Sequence, residues 1–206
     1  MSLESGRVID PKRTAMLIQD LQNDVVTEGG AYTAGGAAAH ATSQNVIANA
    51  ARLADAARRA GMPVIHIHYV VPPGAAGLKQ NAPLFRAVKE QGGNVRGTWG
   101  AAPADGVEPK EGDFIVEKTR MNGFYDTNLD ILLRGLGADT IVITGAWTNM
   151  SIEHTARHGA DAGYEIVVVS DGTSTINEDW QRVALEYALT NVGEAATVDE
   201  VIAALR

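Results

Sequence analysis

With 206 residues and 45% hydrophobic content, the chain can bury a full core, and with no cysteine it has no disulfides, thiolate metal sites or cysteine nucleophile. A formal net charge of −8, with Lys and Arg scattered, argues against nucleic acid and anionic membrane as partners, because both need a basic face. No apolar run approaches membrane-spanning length and the N-terminus MSLESGRVIDPKR has no signal-peptide core, so the reading expects a soluble, cytoplasmic protein folded as one domain over residues 1–206.

Thr14 to Gln19 is a compact apolar run suited to a first buried strand, with Asp20 at its carboxyl end and LQND continuing as a loop. Thr27 to Ala39 is rich in Gly and Ala without periodicity and reads as a surface loop that ends near His40. Ser43 to Ala60 has apolar residues at helical spacing, a Ser in front and Gly61 behind, which predicts one helix. Pro63 to Val71 is the second strand. Gly74 to Lys110 is the least regular part, with a short helix over Asn81 to Gln91. Phe114 to Glu117 is the third strand, with Lys118 at its end. A helix over Thr127 to Leu136, capped by Thr127, leads into a β-branched fourth strand, Thr140 to Thr144, which Gly145 closes.

After Ala146 and Trp147, Thr148 and Asn149 are placed to cap a helix that carries Met150 and Ser151 in its first turn and ends at Gly163. A hydroxyl at a helix N-terminus can attack a carbonyl while nearby amides hold the developing oxyanion, and mere capping is the competing reading of this stretch. Glu165 to Ser170 is a fifth strand ending at Asp171-Gly172. A helix over about Glu178 to Val192, a short strand at Ala195 to Val198 and a last helix to Arg206 follow. Strands alternating with helices predict an α/β domain with a mostly parallel sheet, and ligands of such sheets bind outside the carboxyl ends of the strands. Asp20, Lys118 and the loop before Ser151 all fall at such ends. An acid, an amine and a hydroxyl at one mouth suit nucleophilic attack on a carbonyl, with Asp20 taking the proton and Lys118 holding Asp20 in place.

Three stretches, LIQDLQND at Leu17 to Asp24, VEKTRMNGFYDTNLDILLR at Val116 to Arg134 and TGAWTNMSIEHTARHGADAGYEIVVVSD at Thr144 to Asp171, together resemble the isochorismatase-like cysteine hydrolases. The likeness is to their amidohydrolase branch, which includes N-carbamoylsarcosine, ureidoacrylate and biuret amidohydrolases. It implies a three-layer α/β/α, Rossmann-like fold around a six-stranded sheet and hydrolysis of a non-peptide C–N bond in a small-molecule amide, carbamoyl or ureido substrate. It also implies a homodimer or homotetramer. Asp20 and Lys118 match the first two members of the family's Asp-Lys-Cys set, and a cis peptide is implied between Ala146 and Trp147, with the amides of Trp147 and Ser151 as oxyanion hole. The family pattern TNVCVE stands here as TNMSIE, so Ser151 occupies the cysteine position. Two alternatives stay open: vinyl-ether hydrolysis of the isochorismatase type with Asp20 as acid, and a silent binding homologue.

Gln22, Tyr69, Trp99, Phe124 and Tyr125, with Trp147, are candidate substrate contacts, core packing being an equal reading for Trp99, Phe124 and Tyr125. No cofactor and no metal are expected: His66 and His68 alternate on a strand without a carboxylate at ligand spacing and read as packing or substrate contacts. His154 and His158, four apart on a helix, read as solvated or as oligomer contacts. The Gly-rich segment Gly29 to Gly36 lacks a dinucleotide fingerprint.

Overall fold

The computed structural model describes residues 3–4 and 6–206. Six strands form one sheet in the order β3-β2-β1-β4-β5-β6: β1 Thr14–Gln19, β2 Val64–Tyr69, β3 Phe114–Lys118, β4 Thr140–Ala146, β5 Glu165–Ser174 and β6 Glu194–Ala196. Every pairing is parallel, so the expected mostly parallel sheet is a wholly parallel one. The order turns outward in both directions from β1 and β4, and their carboxyl ends form the switch-point crevice where doubly wound sheets bind ligands.

Alternation along the strands divides the core into two layers. Met16 and Ile18 of β1, Val142 of β4 and Val167 and Val169 of β5 face one layer. They pack there on Val46, Ala50, Leu53 and Ala57 of α3 (Val46–Ala60, after the short helices α1, Asn23–Val26, and α2, Ala37–Ser43). Ala15 and Leu17, Ile141 and Ile143, and Ile166 and Val168 face the other layer, where Leu129 and Leu133 of α5 (Leu129–Gly135, which follows α4, Pro83–Gln91) and Ala156 of α6 (Glu153–Asp161) close it. Each buried Val, Leu or Ile contributes about 1.5–3 kcal/mol, so both layers are needed to hold the central strands.

The helix expected over Ser43 to Ala60 begins at Val46 as α3, and Ser43 is the last residue of α2. Asn45 adopts φ +52° between α2 and α3, a left-handed conformation that Asn tolerates better than most residues, and the Ser43 hydroxyl donates to the His40 carbonyl instead of capping. Part of the expected loop, Ala37 to Ala39, is helical, as its alanines favour. β5 runs past Asp171-Gly172 to Ser174 with a register shift against β4. The helix expected over Glu178 to Val192 divides into α7 (Glu178–Val183), a π-helical turn (Ala184–Ala188) and a 3-10 turn (Leu189–Asn191). Thr197 and Val198 leave the last strand: Thr197 caps the final helix α8 (Val198–Ala204) in a reciprocal bond with Glu200.

Gly145 holds the crevice tight. Its φ is +134°, and a Cβ there would fall on the Gln19 carbonyl of the neighbouring strand. Gly145→Ala should therefore lower stability by at least about 3 kcal/mol in denaturant unfolding, well above an ordinary strand Gly→Ala change.

Candidate active site

Three strand ends deliver the site. Asp20 follows β1 directly and turns the chain with φ +58°, a conformation that Asp accepts more readily than branched residues. Lys118 is the last residue of β3. Ser151 follows β4 across the Ala146-Trp147 peptide, which is cis. The segment after β4 opens as a π-helical turn, Thr148–Ile152, before α6 begins. Thr148 and Asn149 are not helix caps, since the Thr148 hydroxyl donates to Gln181 Oε1 at 2.6 Å and Asn149 Oδ1 accepts from the Thr175 hydroxyl at 2.5 Å. Gln181 Nε2 in turn donates to the carbonyls of Ser170 and Thr173. The Ser151 turn is thus pinned sideways to β5 and α7.

Lys118 Nζ stands between the other two groups. It donates to Asp20 Oδ2 at 2.7 Å, to the Arg120 carbonyl at 3.0 Å and to Ser151 Oγ at 3.4 Å, and lies 5.0 Å from the centre of the Tyr69 ring. Ser151 Oγ also faces Met121 Sδ at 3.6 Å. The Asp20 and Lys118 side chains are 4% and 0% exposed, so water screens neither. Burial raises the Asp20 carboxyl above the ordinary carboxylate range against the pull of Lys118, and burial lowers the Lys118 ammonium against the pull of Asp20. Both shifts favour a proton passing easily across the 2.7 Å contact.

Above these groups is a cavity of about 190 Å³. Asp20, Ser151, Tyr69, Ala146, Trp147, Met121 and Met150 line it, together with Val25 and Tyr32 from the first loop and Leu84, Ala87, Val88 and Gln91 from α4. Its size suits a compound smaller than a drug-sized ligand. Of the candidates named from sequence, Asp20, Ser151, Ala146, Trp147 and Tyr69 line it, and Lys118 stands behind Asp20.

Four others do not line the cavity. Gln22 is fully buried and occupied as a clamp: Nε2 donates to the carbonyls of Tyr69 and Ala101, and Oε1 accepts from the Tyr69 amide at 2.8 Å. Trp99 is 57% exposed, and its carbonyl accepts from Asn23 Nδ2. Phe124 is buried in the core and stacks on His158 with ring centres 4.7 Å apart. Tyr125 is 61% exposed on an outer groove with Phe85 and Arg120. His154 bonds to the Met150 carbonyl. His66 lies away from the cavity with Nε2 3.0 Å from Asp113, a carboxylate 47 residues further on whose oxygens also take Arg58. Burial lowers both His66 and His68, the latter to about 4.

The sequence reading missed Tyr32, Met121 and the inner face of α4. Tyr32, a lone aromatic in a Gly- and Ala-rich segment, was the one available signal. It also missed Asp24, whose Oδ1 accepts from the Ala31 amide and whose Oδ2 accepts from the Asn94 amide at 2.6 Å. Gly100 leaves the space that this carboxylate fills.

The isochorismatase domain model matches residues 14–200. The ureidoacrylate amidohydrolase of Rhizobium rhizogenes is 33% identical over 205 residues, covering 93% of this chain and 83% of the relative. Among solved structures, a cysteine hydrolase of Pseudomonas syringae pv. phaseolicola superposes with a TM-score of 0.83 at 28% identity, over 95% of this chain and 93% of its own. The N-carbamoylsarcosine amidase of Thermoplasma acidophilum gives 0.70 at 24% identity over 91% and 97%, a likeness of fold.

The clamp role of Gln22 separates from a substrate role by measurement. Gln22→Ala strands an amide and two carbonyls and should cost about 2–4 kcal/mol in denaturant unfolding. A residue that served only to touch substrate would leave the unfolding midpoint unmoved.

Proposed function

The chain belongs to the isochorismatase family, and we propose that it hydrolyses a non-peptide C–N bond in a small amide, carbamoyl or ureido compound, with Ser151 as nucleophile. The observation that carries this reading is the placement of one ammonium within 2.7 Å of a carboxylate and 3.4 Å of a hydroxyl at the floor of a mostly apolar cavity.

Lys118 Nζ bridges Ser151 Oγ and Asp20 Oδ2, and the hydroxyl proton passes to Asp20 through the ammonium: Lys118 gives one proton to Asp20 as it takes one from Ser151. Oγ then bonds to the carbonyl carbon, and the amides of Trp147 and Ser151 receive the oxyanion. As the tetrahedral adduct collapses, the C–N bond breaks and the relay runs backward, returning the proton from Asp20 to the departing nitrogen. Water next loses a proton to Asp20 and releases the acyl group from Ser151, restoring the hydroxyl. An alcohol is a harder nucleophile to ionise than a thiol, whose ordinary pKa is about 8.5. Burial answers part of that difficulty, because a carboxylate with a raised pKa is a stronger base than a solvated one.

Ammonia release from a panel of small primary amides and carbamoyl compounds tests the reading. Ser151→Cys should raise the rate by at least about a hundredfold, and Asp20→Asn or Lys118→Met in that background should lower it by about a thousandfold while the fold persists. Absence of release from every compound by Ser151→Cys would defeat the reading. The rate should also fall as acid protonates Asp20, at a pH above the ordinary carboxylate value of about 4, and fall again as base removes the relay proton below the ordinary lysine value of about 10.4.

A further inference from the structure

The cavity wall has an unusual balance of charge and polarity. Among the residues that line it, Asp20 alone carries a formal charge, and its ammonium partner is already engaged behind it. The remaining wall is contributed mainly by aliphatic and thioether side chains such as Val25, Leu84, Val88 and Met150. Three residues of this wall, Tyr32, Tyr69 and Trp147, carry a buried donor that meets no acceptor among the described residues, and Asp20 Oδ1 is a buried acceptor without a donor. Tyr69 as a whole is 3% exposed. A buried donor without a partner has lost its water uncompensated, and that loss is recovered when a ligand supplies an acceptor. The Tyr32 hydroxyl is held in its place because Gly93 has no side chain to fill the same space.

These features bear on the part of the substrate beyond its scissile group. A carboxylate tail would enter an apolar cavity whose described lining offers no free cation and already holds the Asp20 carboxylate, and burying an unpaired charge is heavily unfavourable. A ketone, ester or amide oxygen takes the same donors without that penalty. The phenols stay neutral and keep their donor protons, since burial raises Tyr32 and Tyr69, the latter to about 12 with Asp20 adding to the shift.

Resting on the amidohydrolase reading above, we propose that the substrate is an uncharged compound with a short apolar body and one terminal hydrogen-bond acceptor, received by Tyr32 and Tyr69, and that the site selects against carboxylate-bearing amides. This sets the chain apart from its relative named for ureidoacrylate, which carries a carboxylate.

Three primary amides of similar size separate the contributions of charge and acceptor: pentanamide, 4-oxopentanamide and succinamate. Binding is measured by calorimetry on the full chain and turnover as ammonia release from Ser151→Cys. The expected order places 4-oxopentanamide at least about tenfold tighter than succinamate and about fivefold tighter than pentanamide, and Tyr69→Phe or Tyr32→Phe should shrink the second margin while the first survives. Melting temperatures of both Phe variants confirm that they fold. Succinamate binding as tightly as the keto amide overturns the charge selection, and an undiminished keto margin in both Phe variants overturns the tyrosine assignment. If the binding order holds and no compound releases ammonia, the inference stands and the amidohydrolase reading falls. If none of the three binds, the inference falls, and the wider panel of amides and carbamoyl compounds decides the amidohydrolase reading by itself.

Discussion

The contact between Lys118 and Asp20 is the constraint that the rest of the molecule must satisfy. Two opposite charges removed from water are stable only if their geometry is good and their remaining bonds are met, and losing one partner of such a pair costs about 3–5 kcal/mol. The strand order explains how the contact is made. β2 lies between β1 and β3, so the two residues start two strands apart, and the lysine must cross the end of β2 to reach the carboxylate. It does so over the Tyr69 ring, with the Arg120 carbonyl taking a second proton. A long, flexible ammonium suits this span.

The serine side is organised differently. Its turn is held from outside the site by a chain of neutral hydrogen bonds that runs from Thr148 through Gln181 to β5 and from Asn149 to Thr175. The hydroxyl is therefore positioned by the far half of the sheet, while the acid and the amine are positioned by the near half, and the crevice between β1 and β4 is where the halves meet. The close approach of Gly145 to Gln19 keeps that seam narrow.

Much of this was legible in the amino-acid order. β-branched runs such as Thr140 to Thr144 mark strands buried on both faces, and the polar residues just beyond them announce a shared mouth. What could not be read were the features that depend on residues distant in the chain. Thr148 and Asn149 look like caps because their local chemistry suits capping, yet partners about 30 residues away claim their side chains. Gln22 looks like a site residue because it sits two places from Asp20, but its three bonds to backbone groups hold loops together. Phe124 and Tyr125 are adjacent with similar composition, and only the packed fold decides that one goes to the core and the other to the surface. The helix that starts at Val46 reads three residues early in the sequence, because the left-handed turn at Asn45 that sets its start leaves no trace in the pattern.

The Asp24 carboxylate reaches two segments at once, taking the Ala31 amide with one oxygen and the Asn94 amide with the other. Ala31 precedes Tyr32, and Asn94 follows α4 and Gly93, so two adjoining stretches of the chamber wall hang from a single bolt. The breadth of the chamber is consequently a joint property of two loops. Transplanting one of them from a relative to retune selectivity would slacken the other, and a redesign has to exchange the pair together with its shared anchor.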